Sequence, residues 1–322
     1  MIRIGIVGYG NLGKSVAREL KNNSDMILVC IFSRRDKKLF KDEYFFDSYN
    51  NIKSYKGKID VMIMCGGSQK DLPEQSPEVL KDFCIIDSFD THQKILEHLK
   101  KLNKVGTQNK TLGLCSCGWD PGLFSLMRVL FSSFSKNSHF HTFWGDGISE
   151  GHSDAIRKID GVLDARQYTI LNKQALNLVR SGKRVNLSPS DKHKRECYVA
   201  IKKGAKKDEI EQKIKSMPYY FLDYETNVHF LPQKKLEKEH NKLYHAGVVS
   251  GFFDSKSGNE SFFEFSLKLD SNPDFTASVL ICFSRAVYRL YQEGKVGCLS
   301  VFDVPFKYLS PICYEELIKS YL

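Results

Sequence analysis

The sequence predicts an α/β protein: an N-terminal parallel sheet wound with helices on both faces, followed by a second lobe of α+β texture. Three observations predict it. Short apolar runs alternate with amphipathic stretches over the first 118 residues, and a glycine cluster stands where the first run meets the first helix. After Leu123 the texture changes to segments rich in Thr, Tyr, Val and Phe, which suit antiparallel strands.

Strand one is Ile2 to Val7 and strand two is Met26 to Phe32. Between them Val16, Ala17 and Leu20 recur at helical spacing after Gly13, closing a first βαβ unit. Further strands are expected at Val61 to Cys65, Phe83 to Asp87 and Leu112 to Cys115. Each ends in turn chemistry: Gly66-Gly67-Ser68, Ser88-Phe89-Asp90, and Gly118-Trp119-Asp120-Pro121-Gly122. Ligands gather at the carboxyl ends of the strands in an open parallel sheet, so these loops are the expected floor of a binding site.

The second lobe is expected to open with a helix from Leu123 to about Phe134 and to include strands at Phe140 to Trp144 and Cys197 to Ile201. A long helix, Phe275 to Tyr291, is expected near its end. The last segment, Leu299 to Val304 and then a helix to Leu322, is expected to return to the first lobe and cover its sheet. The expected boundaries are therefore 1–118, 119–295 and 296–322.

Composition excludes several classes. Hydrophobic residues make up 42% and charged residues 27%, the balance of an ordinary globular chain rather than a disordered or fibrous one. No apolar run is long enough for a membrane span, and the N-terminus enters a strand pattern without a signal-peptide core, so a cytoplasmic protein with no membrane partner is expected. Cys30, Cys65, Cys84 and Cys282 lie in apolar runs, and Cys115 and Cys117 form CxC without metal-ligand spacing, so buried reduced thiols and no metal site are expected. The net charge of +10 comes from lysines interleaved with Asp208, Glu209, Glu211 and Glu237, the pattern of solvated helix faces. No nucleic-acid reader motif accompanies it, and none is expected to bind.

Gly8-Tyr9-Gly10-Asn11-Leu12-Gly13 is GxGxxG, placed directly after a strand and opening a helix. The first glycine permits the tight turn, the second lets backbone approach a pyrophosphate, and the third lets helix and strand pack closely. The helix N-terminus then offers unpaired N–H groups to the anion. This is the Rossmann arrangement. At the end of strand two an NAD site would carry Asp or Glu for the ribose 2′-hydroxyl, but Ser33-Arg34-Arg35 stand there instead. Two guanidinium groups beside a hydroxyl suit a 2′-phosphate, so NADP/NADPH is the expected cofactor. Its remaining contacts are expected from the strand ends: Cys65, Gly66, Gly67 and Ser68; Ser88, Phe89 and Asp90; and Cys117, Gly118, Trp119, Asp120 and Pro121.

Further motifs run through the second half: His141-Thr142-Phe143-Trp144-Gly145, Gly151-His152-Ser153-Asp154-Ala155, Gln167-Tyr168-Thr169, His193-Lys194-Arg195 and Asn272-Pro273-Asp274-Phe275-Thr276-Ala277-Ser278. Together with Val7 to Gly13, Phe32 to Arg35 and Gly118 to Gly122, they resemble the meso-diaminopimelate dehydrogenase family over nearly the whole chain. The resemblance implies oxidative deamination of the D-centre of meso-diaminopimelate with NADP, giving L-2-amino-6-oxopimelate and ammonia, reversibly. It also implies a homodimer, with the 119–295 lobe carrying substrate binding and dimerisation.

A substrate with two ammonium and two carboxylate groups needs both anionic and cationic partners. Asp90 and Asp120, at the ends of neighbouring strands, are the candidates to hold the D-centre ammonium and to accept its protons. Read alone, each is equally a turn residue or helix cap. The resemblance implies that the Trp144 indole N–H meets the D-centre carboxylate, and that Thr169, Arg195, His245 and Asn272 hold the L-centre carboxylate. Glu150, Gly151 and Asp154 join the candidate substrate contacts. Glu150 departs from the glutamine expected there, which bears on substrate preference, since a carboxylate beside a substrate carboxylate repels. Two alternatives remain open on the residues: another two-lobed NADPH reductase, such as a dihydrodipicolinate-reductase-like or sugar-oxidising enzyme, or a sensor that binds nucleotide without catalysis.

Overall fold

The computed structural model describes residues 1–322. By contacts the chain forms two compact units, one of Met1–Leu126 with Pro273–Leu322 and the other of Met127–Asn272.

In the first unit β1 (Ile2–Val7) leads through the glycine turn into α1 (Asn11–Glu19), then β2 (Met26–Ser33), β3 (Phe46–Ser48) and β4 (Val61–Met64). There follow α2 (Leu72–Leu80), β5 (Cys84–Asp87), α3 (Ile95–Asn109) and β6 (Leu112–Leu114). Side chains alternate between two cores, as a sheet covered on both faces requires. Ile4, Ile6, Ile31, Ile63 and Ile86 face one core, while Val7, Phe32, Met62, Met64 and Ile85 face the other. Helix α2 carries Pro77 inside it, and proline cannot donate to the carbonyl four residues back. Lys101 Nζ on α3 donates to that carbonyl, Pro73 O, at 2.7 Å.

Helix α4 (Leu123–Phe134) runs into the second unit, which contains β7 (His139–Trp144), β8 (Gly147–Ile148), α5 (Glu150–Arg157) and β9 (Val162–Leu171). Then come α6 (Lys173–Arg180), α7 (Pro189–Lys192), β10 (His193–Ile201), α8 (Lys207–Lys215), β11 (Thr226–Phe230), α9 (Gln233–Glu239), β12 (His245–Asp254) and β13 (Glu260–Leu269). They form a four-stranded sheet, β11-β10-β9-β8, and a three-stranded one, β13-β12-β7. Ile156 of α5 and Ile210 and Ile214 of α8 close over Ala165, Cys197 and Val199 of the larger sheet.

The chain returns through α10 (Asn272–Gln292), β14 (Gly297–Leu299) and α11 (Tyr314–Tyr321). The sheet of the first unit is then seven parallel strands in the order β14-β6-β5-β4-β1-β2-β3. Two expectations differ from this. Pro273–Gln292 groups with the first unit rather than with the lobe at 119–295: Ala277, Leu280, Phe283 and Val287 pack into the core beneath β1, and buried Arg285 donates to Asp25 at 2.5 and 2.9 Å. An amphipathic stripe announces that a helix packs, not what it packs against. The last segment also does more than cover the sheet. Gly297–Leu299 extends it as an edge strand beside β6, while Val301–Asp303 is a turn of 3₁₀ helix with Val301 in the core.

Candidate functional site

The glycine turn has the dimensions its sequence requires. Gly8 sits at φ +96°, and a Cβ on Gly13 would lie 2.1 Å from the Gly8 carbonyl oxygen, so helix and strand meet without a side chain between them. Gly10 faces open space, no side chain caps α1, and its first turn carries no acid. The free N–H groups and the helix dipole are therefore left for an anion. The Tyr9 ring is buried between Phe40 and Phe46, and its hydroxyl donates to Asp42 at 2.8 Å, so Tyr9 offers a nucleotide only its backbone.

Ser33 closes β2, and its hydroxyl accepts from the Arg35 backbone N–H at 3.0 Å. Arg35 reaches back across the turn to donate to the Tyr9 carbonyl at 2.5 Å and lies over the Phe40 ring. Arg34, largely exposed, pairs with Asp71 at 2.6 Å, and Asp71 also accepts from the Gly67 N–H at 3.0 Å. Two guanidinium groups and a hydroxyl thus stand at the end of β2, and one of the cations is held by a carboxylate that the sequence reading did not single out.

Asp87, the last residue of β5, is fully buried and organises the next two strand ends. Its Oδ1 accepts from the backbone N–H of Phe89 at 3.2 Å and of Ser116 at 2.9 Å, and its main-chain oxygen accepts from Cys117 N–H at 2.9 Å.

 

Asp90 immediately follows Phe89, outside the buried core, with its N–H donating to Ser68 Oγ at 3.1 Å and its side chain open to solvent. The protein massed around it still raises its carboxyl above the ordinary value, desolvation outweighing the Ser68 hydroxyl and nearby His92. Asp120, half-buried, stands in a turn whose Gly118 and Trp119 carbonyls accept from Leu123 and Phe124 at the start of α4. Gly122 is at φ +133°, where a side chain would collide with Gly118.

In the second unit strand register assembles the cluster. Thr169 on β9 lies opposite Arg195 on β10 and Gly147 on β8, and Trp144 on β7 lies opposite Gly247 on β12. A Cβ on Gly147 would fall 2.3 Å from His245 Cα, and one on Gly145 would fall 2.5 Å from the Thr169 carbonyl, so the two sheets touch at these glycines. Arg195 is buried, donates Nη1–H to Thr169 Oγ1 at 2.5 Å and lies over the Tyr224 ring at 4.0 Å. Its Nε has no partner and no carboxylate pairs with it. Burial lowers its pKa, with Tyr224 opposing. His193, also buried, accepts the Trp144 backbone N–H on Nε2 at 2.7 Å. Burial, then the charges of Arg195 and Lys192, lower its pKa to about 3, so the ring is neutral.

Thr169, Arg195, His245 and the Trp144 strand end are therefore brought together. Glu150, Gly151 and Asp154 lie on α5, where Glu150 pairs with Arg157 at 3.3 Å and Asp154 with Lys158. No ion pair joins either acid to Arg195. Asn272 donates its backbone N–H to Leu243 O at 2.7 Å, just before β12.

Residues 118–271 match the family model of the diaminopimelic acid dehydrogenase C-terminal domain. The whole chain is 47% identical to meso-diaminopimelate D-dehydrogenase of Ureibacillus thermosphaericus, covering 99% of that protein. The chain belongs to the meso-diaminopimelate D-dehydrogenase family. It is also 40% identical to the Corynebacterium glutamicum member, with 98% of each chain covered. Solved structures of the family agree in fold. The C. glutamicum diaminopimelate dehydrogenase in complex with diaminopimelate has a TM-score of 0.96 at 39% identity, covering 100% of this chain and 99% of that one. An engineered D-amino acid dehydrogenase bound to NADP⁺ has a TM-score of 0.95 at 38% identity, with the same coverage.

For this member of the meso-diaminopimelate D-dehydrogenase family, sequence reasoning missed Asp71, Asp87, His193 and Tyr224 as neighbours of the candidate residues, and His98, whose Nε2 lies 2.7 Å from Asp87 Oδ2. The signal for Asp87 was available: an acid closing an otherwise apolar strand, Cys84–Asp87, must find donors. Tyr224 carried none, because only the strand pairing brings it to Arg195; His193 shares the β10 motif with Arg195, but nothing local shows that it meets the Trp144 N–H.

Proposed function

We propose that the chain oxidatively deaminates the D-centre of meso-2,6-diaminopimelate with NADP⁺ and water, giving L-2-amino-6-oxopimelate, ammonia and NADPH, and runs in reverse as a reductive amination. The observation that carries this reading is Arg195: a buried guanidinium with no protein carboxylate is costly unless a ligand supplies the anion. A substrate with a second carboxylate remote from the reacting centre does so.

The residues fit NADP. The open N-terminus of α1 with Gly8, Gly10 and Gly13 suits the pyrophosphate, and Ser33, Arg34 and Arg35 suit the 2′-phosphate. When bound, the nicotinamide supplies the hydride acceptor. Asp90 and Asp120 hold the D-centre ammonium, and one of them takes its proton so that the neutral amine carries the lone pair that drives hydride loss. The carbon–hydrogen bond breaks, a carbon–nitrogen double bond forms, and water adds to release ammonia and leave the ketone. Trp144 donates its indole N–H to the D-centre carboxylate. Arg195, Thr169, His245 and Asn272 hold the L-centre carboxylate, which fixes the orientation of the chain between the two centres. Glu150 and Asp154, already matched by Arg157 and Lys158, bear on substrate preference rather than on charge.

We also infer a cytoplasmic homodimer. Nine free cysteines support a reducing compartment, and no helix is long and apolar enough to cross a membrane; the dimer rests on the family resemblance. The deciding experiment follows NADPH absorbance with the meso, LL and DD isomers, and with NAD in place of NADP. Turnover of the meso isomer with NADP is expected. Nucleotide binding without turnover of any isomer would overturn the substrate assignment and leave the nucleotide site standing.

A further inference from the structure

We propose that Asp87 and His98 are positioning residues that set the placement of the Asp90 and Asp120 loops for hydride transfer. This rests on the roles proposed above for Asp90 and Asp120. Asp87 is the one fully buried carboxylate of the chain, and its only possible cationic neighbour is His98, whose Nε2 lies 2.7 Å from Oδ2. Ser76 of α2 donates to the same oxygen at 2.9 Å. On the other side, Oδ1 takes the N–H groups of Phe89 and Ser116, one from each of the two loops. A single carboxylate therefore ties two helices behind the sheet to the two loops in front of it.

Two details show that the loops, and not only the core, depend on this link. Ser116 has φ +57°, a conformation that side chains other than glycine adopt at a cost, and its N–H is fixed by Asp87. The His98 ring stacks on Phe89 with centroids 4.3 Å apart, so the residue directly before Asp90 is held both by Asp87 and by the ring that Asp87 orients. An apolar residue at position 87 would fill the core as well, but it would leave the Phe89 and Ser116 N–H groups without an acceptor. Hydride transfer demands close alignment of the reacting atoms, and a misplacement of about 1 Å costs on the order of a hundredfold in rate.

The test compares His98→Phe, which keeps the ring against Phe89 and loses the hydrogen bond, with His98→Gln, which restores a donor. In His98→Phe, kcat for meso-diaminopimelate is expected to fall about tenfold or more while the KM for NADP stays within about twofold; in His98→Gln most of the kcat is expected to return. A wild-type kcat in folded His98→Phe overturns the proposal. So does a loss that His98→Gln does not relieve and that nucleotide affinity shares, since that is damage to the core. If His98→Phe does not fold, Asp87→Asn is read instead: it keeps an oxygen for the two loop N–H groups and changes the side facing Ser76 and His98. A kcat loss at unchanged NADP affinity supports the proposal, and an unchanged kcat overturns it. Wild-type protein that turns over the meso isomer while these variants match it sinks this inference alone; wild-type protein that turns over no isomer sinks the reading beneath it.

Discussion

Two buried charges, one in each unit, are treated in opposite ways. The Asp87 carboxylate takes two backbone N–H groups, a hydroxyl and an imidazole, so its need for donors is met by the protein. The Arg195 guanidinium takes one hydroxyl and an aromatic face and keeps its Nε without a partner. Burying a charge is tolerable only when it is paired or hydrogen-bonded. A satisfied charge therefore marks scaffold, and an unsatisfied one marks a place kept for a ligand.

Asp90 tests the first half of the comparison, because it stands beside the satisfied carboxylate yet faces solvent. Asp90→Asn is expected to lower kcat by roughly a hundredfold to ten-thousandfold, the range of acid–base catalysis, with little change in NADP affinity. The wild-type rate should fall as pH drops through the Asp90 pKa, since only the ionised form accepts a proton, and that limb should lie above the ordinary carboxylate range. An Asp90→Asn enzyme that retains both the rate and the limb assigns the proton to Asp120.

Arg195 tests the second half. Arg195→Met removes a buried, underpaired charge and keeps its volume, so KM for meso-diaminopimelate is expected to rise about thirtyfold or more. Folding stability should hold or increase by about 1–4 kcal/mol. Urea midpoints and steady-state kinetics on the same variant give both numbers. A large loss of stability would mean that Arg195 is scaffold after all, and the contrast with Asp87 would collapse.

The same contrast explains what was legible in the sequence. In the first unit the site is made of loops that follow strands directly, so GxGxxG, Ser33-Arg34-Arg35 and the two aspartates could be placed by chain order alone. In the second unit Thr169 and Arg195 lie within strands and Trp144 at the end of one, and they meet through register and through glycines at which two sheets touch. No local pattern carries register, so Arg195 and its neighbours were named by resemblance; His193 stood only inside the motif His193-Lys194-Arg195, and Tyr224 was not named at all. Short β3 and β14 escaped for another reason: three residues are too few to show alternation, and neither leads into a glycine-rich turn like the Gly118–Gly122 one after the equally short β6.

His193 gives a smaller effect of defined sign. Its folded pKa of about 3 lies below the ordinary histidine value of 6.5, so the folded state binds fewer protons than the unfolded one. The stability it contributes is present above pH about 6.5 and is lost as pH falls towards 3. Between pH 7 and 4.5 that loss is about 2–3 kcal/mol. His193→Phe should be less stable at pH 7, because the Trp144 N–H loses its acceptor, but should lose less on acidification. Parallel pH profiles for the two proteins would show that His193 is not held neutral beside Arg195.

The smallest effect concerns Asp71, where a surface ion pair imitates a ligand contact. Arg34 is mostly exposed, and its pair with Asp71 at 2.6 Å is worth about 0–1 kcal/mol. A 2′-phosphate must compete with that carboxylate for the guanidinium. Asp71→Asn keeps an oxygen for the Gly67 N–H and removes the competing charge, so KM for NADP is expected to fall about twofold to threefold. KM for NAD, which lacks the phosphate, should stay the same. A rise in the NADP value would mean that Asp71 orients Arg34 towards the phosphate instead of competing for it, which would make this pair part of the scaffold, like Asp87, rather than a charge awaiting its ligand, like Arg195.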